Sequence, residues 1–223
     1  KFWKKTIKSI EFIKTFQAHR KRITALSVSP DDQRFCTTSS DQRLKIFDIL
    51  HFDMTNILDL YYVPSNALWL NDSNIVVSDL CSKHLRVYNA NGETSSGTNN
   101  EEHASCLKVL ADIHSSPLTC MVLNTRFDTV ISIDLKGMIE YWNRNEFTMP
   151  NYPKDVAFQY KYETDLYELA KKKTTALSVS ISPYGDMFAV VCADKHIRIF
   201  AFKSGKLIDD INEERSVYEK AIV

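Results

Sequence analysis

The chain has 223 residues, 44% of them hydrophobic and 25% charged, with 28 Lys and Arg balancing 28 Asp and Glu. Zero net charge excludes a whole-molecule field that would draw it to nucleic acid or an anionic membrane, so such binding would need a local patch. No apolar run approaches the roughly 18–20 residues that span a bilayer, and five cysteines, odd in number and never paired as Cys-x-x-Cys, fit free thiols in a reducing compartment.

Residues 1–5 open inside a predicted strand, and 10–16 read as its neighbour. An alternating strand at 23–28 follows, then a turn at Ser29-Pro30-Asp31-Asp32 and a strand at 34–38. A second turn, Ser40-Asp41-Gln42, leads to a strand at 44–48. Similar short strands recur, one closing on Tyr88, one opening at Cys106, one closing on Trp142. Near the end the order returns almost slot for slot: strand 176–181, turn Ser182-Pro183-Tyr184-Gly185-Asp186, strand 187–192, turn Ala193-Asp194-Lys195, strand 197–200. The closing aromatics Trp3, Phe47, Tyr88, Trp142 and Phe200 are spaced by about 44, 41, 54 and 58 residues, near the period of about 40–45 of a four-stranded repeat unit. A sheet of four strands cannot cover both faces alone, so successive units must lean on one another. One helix interrupts the pattern at 165–173, with Thr164 or Asp165 as N-cap. Its Leu166, Leu169 and Ala170 form an apolar stripe with Tyr167 beside it. We read the stripe first as a cap on the rim and second as a docking edge.

These features resemble the WD40 family, whose pattern has a His before the first strand of each blade, an Asp in the turn between the second and third strands, and a Trp-Asp closing the third. His19 and His114 stand in the first role, Asp41 and Asp194 in the second, Phe47-Asp48 and Trp142-Asn143 in the third, with Phe200 closing the last blade. The resemblance implies an all-β propeller of four-stranded antiparallel blades, seven in the parent and about four and a half here. On that reading 1–16 end a truncated blade, 17–60, 61–110, 111–160 and 174–210 are blades, 164–173 is the inserted helix, and 211–223 start an extension. Two and a half further blades are expected on the N-terminal side, leaving an open arc. The family joins its His, a hydroxyl on the second strand, the Asp and the Trp in a hydrogen-bonded tetrad. Only the first complete blade is expected to approximate it, through His19, Thr37 and Asp41, and Phe47 has no N–H to finish it. The blade around Tyr88 lacks both His and turn Asp, with Ser82 in the Asp slot, and Asp134 is shifted from its slot.

Further stretches, above all Gly137 to Trp142 and Asp165 to Lys171, are similar to one branch: cyclophilins that carry a WD-repeat propeller ahead of the isomerase domain. That similarity implies a nuclear, spliceosome-associated scaffold, non-catalytic itself, with peptidyl-prolyl isomerase activity in a downstream domain. The alternative is a general WD40 adaptor, such as a ubiquitin-ligase substrate receptor or histone-tail reader.

Other chemistry is weaker. His103, Cys106, His114 and Cys120 have a spacing that invites zinc, but each has a structural place to fill. His19 and Asp41 could be drawn as a catalytic dyad, yet a pair pinning two loops is the better reading. Five scattered glycines form no phosphate loop, and the acidic pairs at 101–102, 209–210 and 213–214 read as solvated. No cofactor is expected. Arg20, Lys21 and Arg22, with Lys136, are the candidate partner-binding residues, suited to acidic or phosphorylated proteins or peptides rather than to nucleic acid directly or to a membrane. Lys171, Lys172 and Lys173 complement the dipole at the helix end.

Overall fold

The computed structural model describes residues 1–91, 106–150 and 155–217. Over these the chain is all-β apart from a short helix, a 3-10 turn and helical residues at 215–217, with its strands in five antiparallel sheets. It divides into two compact units, Lys1–Cys81 with Leu85–Val109, and Ser82–His84 with Leu110–Val223.

In the first unit, β1 (Phe2–Lys5) and β2 (Ile10–Lys14) form a two-stranded ribbon. A four-stranded meander follows: β3 (Ile23–Val28), β4 (Arg34–Ser39), β5 (Arg43–Asp48) and β6 (Asp53–Asp59). The next sheet is β7 (Pro64–Trp69), β8 (Asn74–Asp79), β9 (Leu85–Asn89) and β10 (Cys106–Leu110). Short turns join the strands from β3 to β9 in sequence, and the residue after each closing aromatic makes the turn. Asp48 Oδ1 accepts the N–H groups of Leu50 and His51, and Asn89 Oδ1 accepts that of Asn91. These are Asx turns, which is why a short polar acceptor follows the aromatic. The two sheets share a core of Leu44, Ile46, Leu58, Trp69, Ile75, Val77 and Tyr88. Trp69 Nε1 donates to the Ser27 carbonyl at 3.1 Å, and Asn56 Nδ2 to that of Ala90 at 3.0 Å, riveting one sheet to the next.

The second unit holds β11 (Leu118–Asn124), β12 (Thr129–Asp134) and β13 (Ile139–Asn143), then β14 (Ala176–Ile181), β15 (Met187–Cys192), β16 (His196–Ala201) and β17 (Leu207–Asn212). Its core includes Ile131, Ile133, Tyr141, Phe158, Leu169, Phe188 and Phe200. Tyr141 stacks on Phe202 with ring centroids 5.0 Å apart, and Asn124 Nδ2 donates to the Gly185 carbonyl at 2.8 Å.

The sheet closing on Trp142 has three strands among the described residues. Beyond β13, the chain buries Val156 and Phe158 in the core, with the Ala157 N–H donating to the Lys203 carbonyl at 2.8 Å. One expectation is corrected here: the helix is shorter than 165–173. It is α1 (Glu168–Lys171), with Tyr167 at its N-cap. Thr164 does not start it, because its hydroxyl donates to the Lys161 carbonyl and accepts the Leu166 N–H, closing the preceding 3-10 turn Lys161–Glu163. The stripe residues Leu166 and Leu169 are buried in the core rather than presented as an edge. At its other end, Lys173 adopts φ +54°, while its N–H bonds the Ala170 carbonyl and that of Thr174 bonds the Leu169 carbonyl. This is a complete Schellman stop with lysine where glycine is usual.

Candidate functional site

The polar groups that carry the repeat lie where the loop entering the first strand of a blade meets the turn between its second and third strands. In the β3–β6 sheet, His19 Nε2 is 2.9 Å from Thr37 Oγ1 and its Nδ1 is 3.1 Å from Asp41. The Arg20 N–H donates to the same carboxylate at 3.1 Å. Burial pushes Asp41 up, but the Arg20 N–H and the His19 ring outweigh it and hold the carboxyl below the ordinary range. Phe47 offers no donor; it stacks on Phe35 at 4.8 Å, inside a cluster with Phe2 and Phe16.

The fuller network lies in the β11–β13 sheet, which corrects the expectation that only the first complete blade would approach a tetrad. His114 Nε2 is 2.7 Å from Ser132 Oγ, Trp142 Nε1 donates to that oxygen at 3.0 Å, and His114 Nδ1 faces Asp134 Oδ2 at 3.7 Å. Asp134 lies two residues before the usual acidic slot. Side chains alternate along a strand, so a two-residue shift keeps the carboxylate on the face of Ser132. From there its Oδ1 accepts the N–H groups of Lys136 and Met138 at 3.0 and 2.9 Å. Burial raises this acid, while the nearby His114 ring and the bond from the Met138 N–H lower it by more, leaving it below the usual carboxylate range.

Ser132, His114 and Asp134 have the order of a nucleophile, base and orienting acid, but Ser132 is 0% exposed, so no substrate reaches its hydroxyl. With both His114 and Trp142 bonded to Ser132 Oγ, the arrangement holds buried side chains in place.

The two sheets without the histidine solve the same problem with arginine. In the β7–β10 sheet, Arg86 Nη1 donates to Asp79 at 3.3 Å, and its guanidinium lies 4.2 Å above the Tyr62 ring, whose hydroxyl accepts from Tyr88 at 3.1 Å. In the β14–β17 sheet, Arg198, 1% exposed, makes two parallel bonds to Asp194 at 3.1 and 2.8 Å. His196 Nδ1 meets Asp210 at 2.6 Å beside it. Asp194 is therefore engaged, though by Arg198 rather than a histidine. The sequence does carry the signal, which our reading missed: an Arg two residues before the closing aromatic, in the two sheets where the His is absent and in neither of the others.

Other candidates fall apart. His103 lies outside the described residues. Cys106 and Cys120 are buried among apolar side chains, and burial pushes the Cys120 thiol up to about 11. Among the described residues no group of three His, Cys, Asp or Glu side chains is placed to hold a metal. Arg20, Lys21, Arg22 and Lys136 are all exposed, and none of them forms an ion pair with a described residue. The first three belong to the first unit and Lys136 to the second.

The WD domain, G-beta repeat family matches residues 10–48 and 166–200. Across nearly the whole chain, the human protein named Peptidylprolyl isomerase domain and WD repeat-containing protein 1 is 36% identical over 223 residues, covering 98% of this chain and 33% of that protein. Peptidyl-prolyl cis-trans isomerase CYP71 of Arabidopsis thaliana is 36% identical over 228 residues, covering 100% of this chain and 33% of its own length. Peptidyl-prolyl cis-trans isomerase 9 of Schizosaccharomyces pombe is 31% identical over 232 residues, covering 100% and 35%. The chain thus spans about a third of the length of the curated relatives it matches.

Proposed function

The chain belongs among the WD40-repeat proteins, as a homologue of isomerases named for carrying WD repeats, and from that premise we propose that it is a non-catalytic protein-docking module of a cyclophilin that works in a nuclear splicing assembly. The observation that carries the docking reading is the division of its polar groups. His19, Ser132, His114 and Arg198 of the repeat networks are turned inward and bonded, whereas the cations Arg20, Lys21 and Arg22 on the strand-entry loop are left outward and unpaired among the described residues. Interior groups fix the blades, and the loops are left for partners.

Isomerase chemistry is assigned to the part of the parent that this chain does not match. The splicing setting is supported by the similarity of residues 137–142 and 165–171 to the cyclophilin branch. Acidic or phosphorylated segments of other proteins suit the free cations.

Two measurements test this. A proline-isomerisation assay on the chain alone is expected to show no rate above the uncatalysed one; turnover would overturn the non-catalytic assignment. Proximity labelling in nuclei is expected to recover splicing factors, and to lose them with Arg20→Glu, Lys21→Glu and Arg22→Glu together. Recovery of ubiquitin-ligase subunits or histones instead would make the protein a general adaptor.

A further inference from the structure

Five lysines of the second unit meet around the end of α1. The backbone carries them there. A Cβ on Gly137 would lie 2.7 Å from the Thr174 carbonyl and 2.9 Å from the Ala170 nitrogen, so the turn holding Lys136 rests on the helix end holding Lys171, Lys172 and Lys173. The Ala193 N–H donates to the Thr175 carbonyl at 2.9 Å, and that of Asp194 to Thr174 Oγ1 at 3.2 Å, which brings the turn holding Lys195 to the same place.

The countercharges are few. Glu168 is shared between Lys171 at 3.8 Å and Lys172 at 3.9 Å, and Asp194 is committed to Arg198. Glu213 donates its backbone N–H to the Lys195 carbonyl but forms no ion pair among the described residues. Lys136, Lys173 and Lys195 are exposed and form none either.

Three details suggest that the charge is kept at some cost to the fold. Lys173 and Lys195 both sit at positive φ, +54° and +64°, where glycine would be unstrained. The equivalent turn position holds Gln42 at φ +65° in the first unit and Gly137 at φ +80° in the neighbouring sheet, so the turn itself requires no charge there. Lys136 stands at the slot that holds Asp41 and Asp194 in other sheets, the acid having moved into the strand as Asp134.

We propose that this lysine cluster is a second docking site, which binds a phosphorylated acidic segment of a partner protein. The inference rests on the docking reading above and locates a surface independent of Arg20, Lys21 and Arg22. Lysines brought together on three adjoining turns suit a compact dianion. A protein segment fits better than a nucleic acid, since the chain has no net charge to attract a long polyanion.

The test uses fluorescence anisotropy on the whole chain, with a short labelled peptide carrying adjacent phosphoserines in an aspartate run, its unphosphorylated twin, single-stranded oligouridylate and phosphatidylserine vesicles. Tighter binding of the phosphopeptide than of the other three is expected, with affinity falling on the order of tenfold in the variant Lys136→Ser, Lys173→Gly, Lys195→Gly. Two of those changes relieve positive φ, so the melting temperature should hold or rise, and the loss cannot be attributed to unfolding. Equal binding by parent and variant, preference for the oligonucleotide or vesicles, or no phosphopeptide binding would overturn the site. Partner recovery that depends on Arg20, Lys21 and Arg22 but survives the lysine variant would sink this inference while leaving the docking reading intact. No partner recovery by any form would sink the docking reading itself.

Discussion

Each blade must satisfy a buried acid near the crossing of two loops, and this chain does so in two ways: a histidine with a strand hydroxyl, or an arginine from the third strand. The histidine version is complete only where Trp142 supplies an indole N–H to Ser132. Replacing Trp142 with Phe keeps most of the packing and removes that donor, so the expected cost is about 1–2 kcal/mol, from lost area and a weakened hydroxyl network. A urea-melt cycle with Ser132→Ala checks this, since the two costs should fall short of additive if the bond matters. Acid sensitivity follows from the same groups. Asp41 and Asp134 have folded pKa values below their ordinary value. The unfolded chain therefore takes up protons first as pH falls. Stability from these groups is fully present above about pH 4, the unfolded-state value, and is lost as pH drops below it toward the folded one. Urea melts between about pH 5 and pH 2 should show unfolding free energy declining with acid, and Asp134→Asn should flatten that decline while lowering stability at neutral pH. Of these site residues, His19, Thr37, Asp41, His114 and Trp142 are visible in the sequence because they keep family slots. Asp134 is not, because a two-residue shift preserves the geometry while breaking the pattern, and Arg198 is legible only by its place two residues before the closing aromatic, a slot the family pattern does not mark.

At the scale of elements, strands were easier to read than what lies between them. The strand at 23–28 and those at 176–181 and 187–192 fall where alternation and turn residues place them, as β3, β14 and β15. Their signal is local: a pleat buries every second side chain, and Pro, Gly and Asp mark the turns. The segment between β13 and β14 gave the least reliable reading. A helical stripe at 166–170 looks the same in sequence whether it forms a long helix or a single turn held down by tertiary contacts, and here the contacts decide. Leu166 and Leu169 are drawn into the core, and the polar residues before them close a 3-10 turn instead. Gly137 is the contact on which this packing depends. At φ +80°, with Thr174, Ala170 and Leu169 backbone atoms within 2.9 Å of where a Cβ would stand, it admits no side chain. Gly137→Ala should cost about 2–4 kcal/mol, combining left-handed strain with backbone displacement. Thermal melts give the size of that loss. Hydrogen exchange locates it, with protection at the amides of Lys171–Thr174 falling before that of β12.

At the scale of the whole molecule, sheets of this kind are stabilised by their neighbours, and a sheet face without one remains apolar. In the first unit, β3 leaves Leu26 62% exposed, with Ile23 and Val28 exposed beside it; in the second, β14 leaves Leu177 65% exposed. These are large apolar groups at strand positions, where period-two alternation sends them away from the core that holds their neighbours. Because they contribute little burial, their replacement should leave the fold intact; because they are large exposed apolar groups, they should promote self-association. The net charge of zero offers no general repulsion to oppose this. Leu26→Lys and Leu177→Lys together add two positive charges and remove both apolar groups. The expected result is a melting temperature unchanged within about 2 °C, since surface substitutions of this kind stay within about 0.5 kcal/mol. Light scattering at high protein concentration should fall at the same time. A large drop in melting temperature would mean that these faces are buried in solution against something that the isolated chain supplies to itself, and unchanged scattering would mean that association runs through another surface.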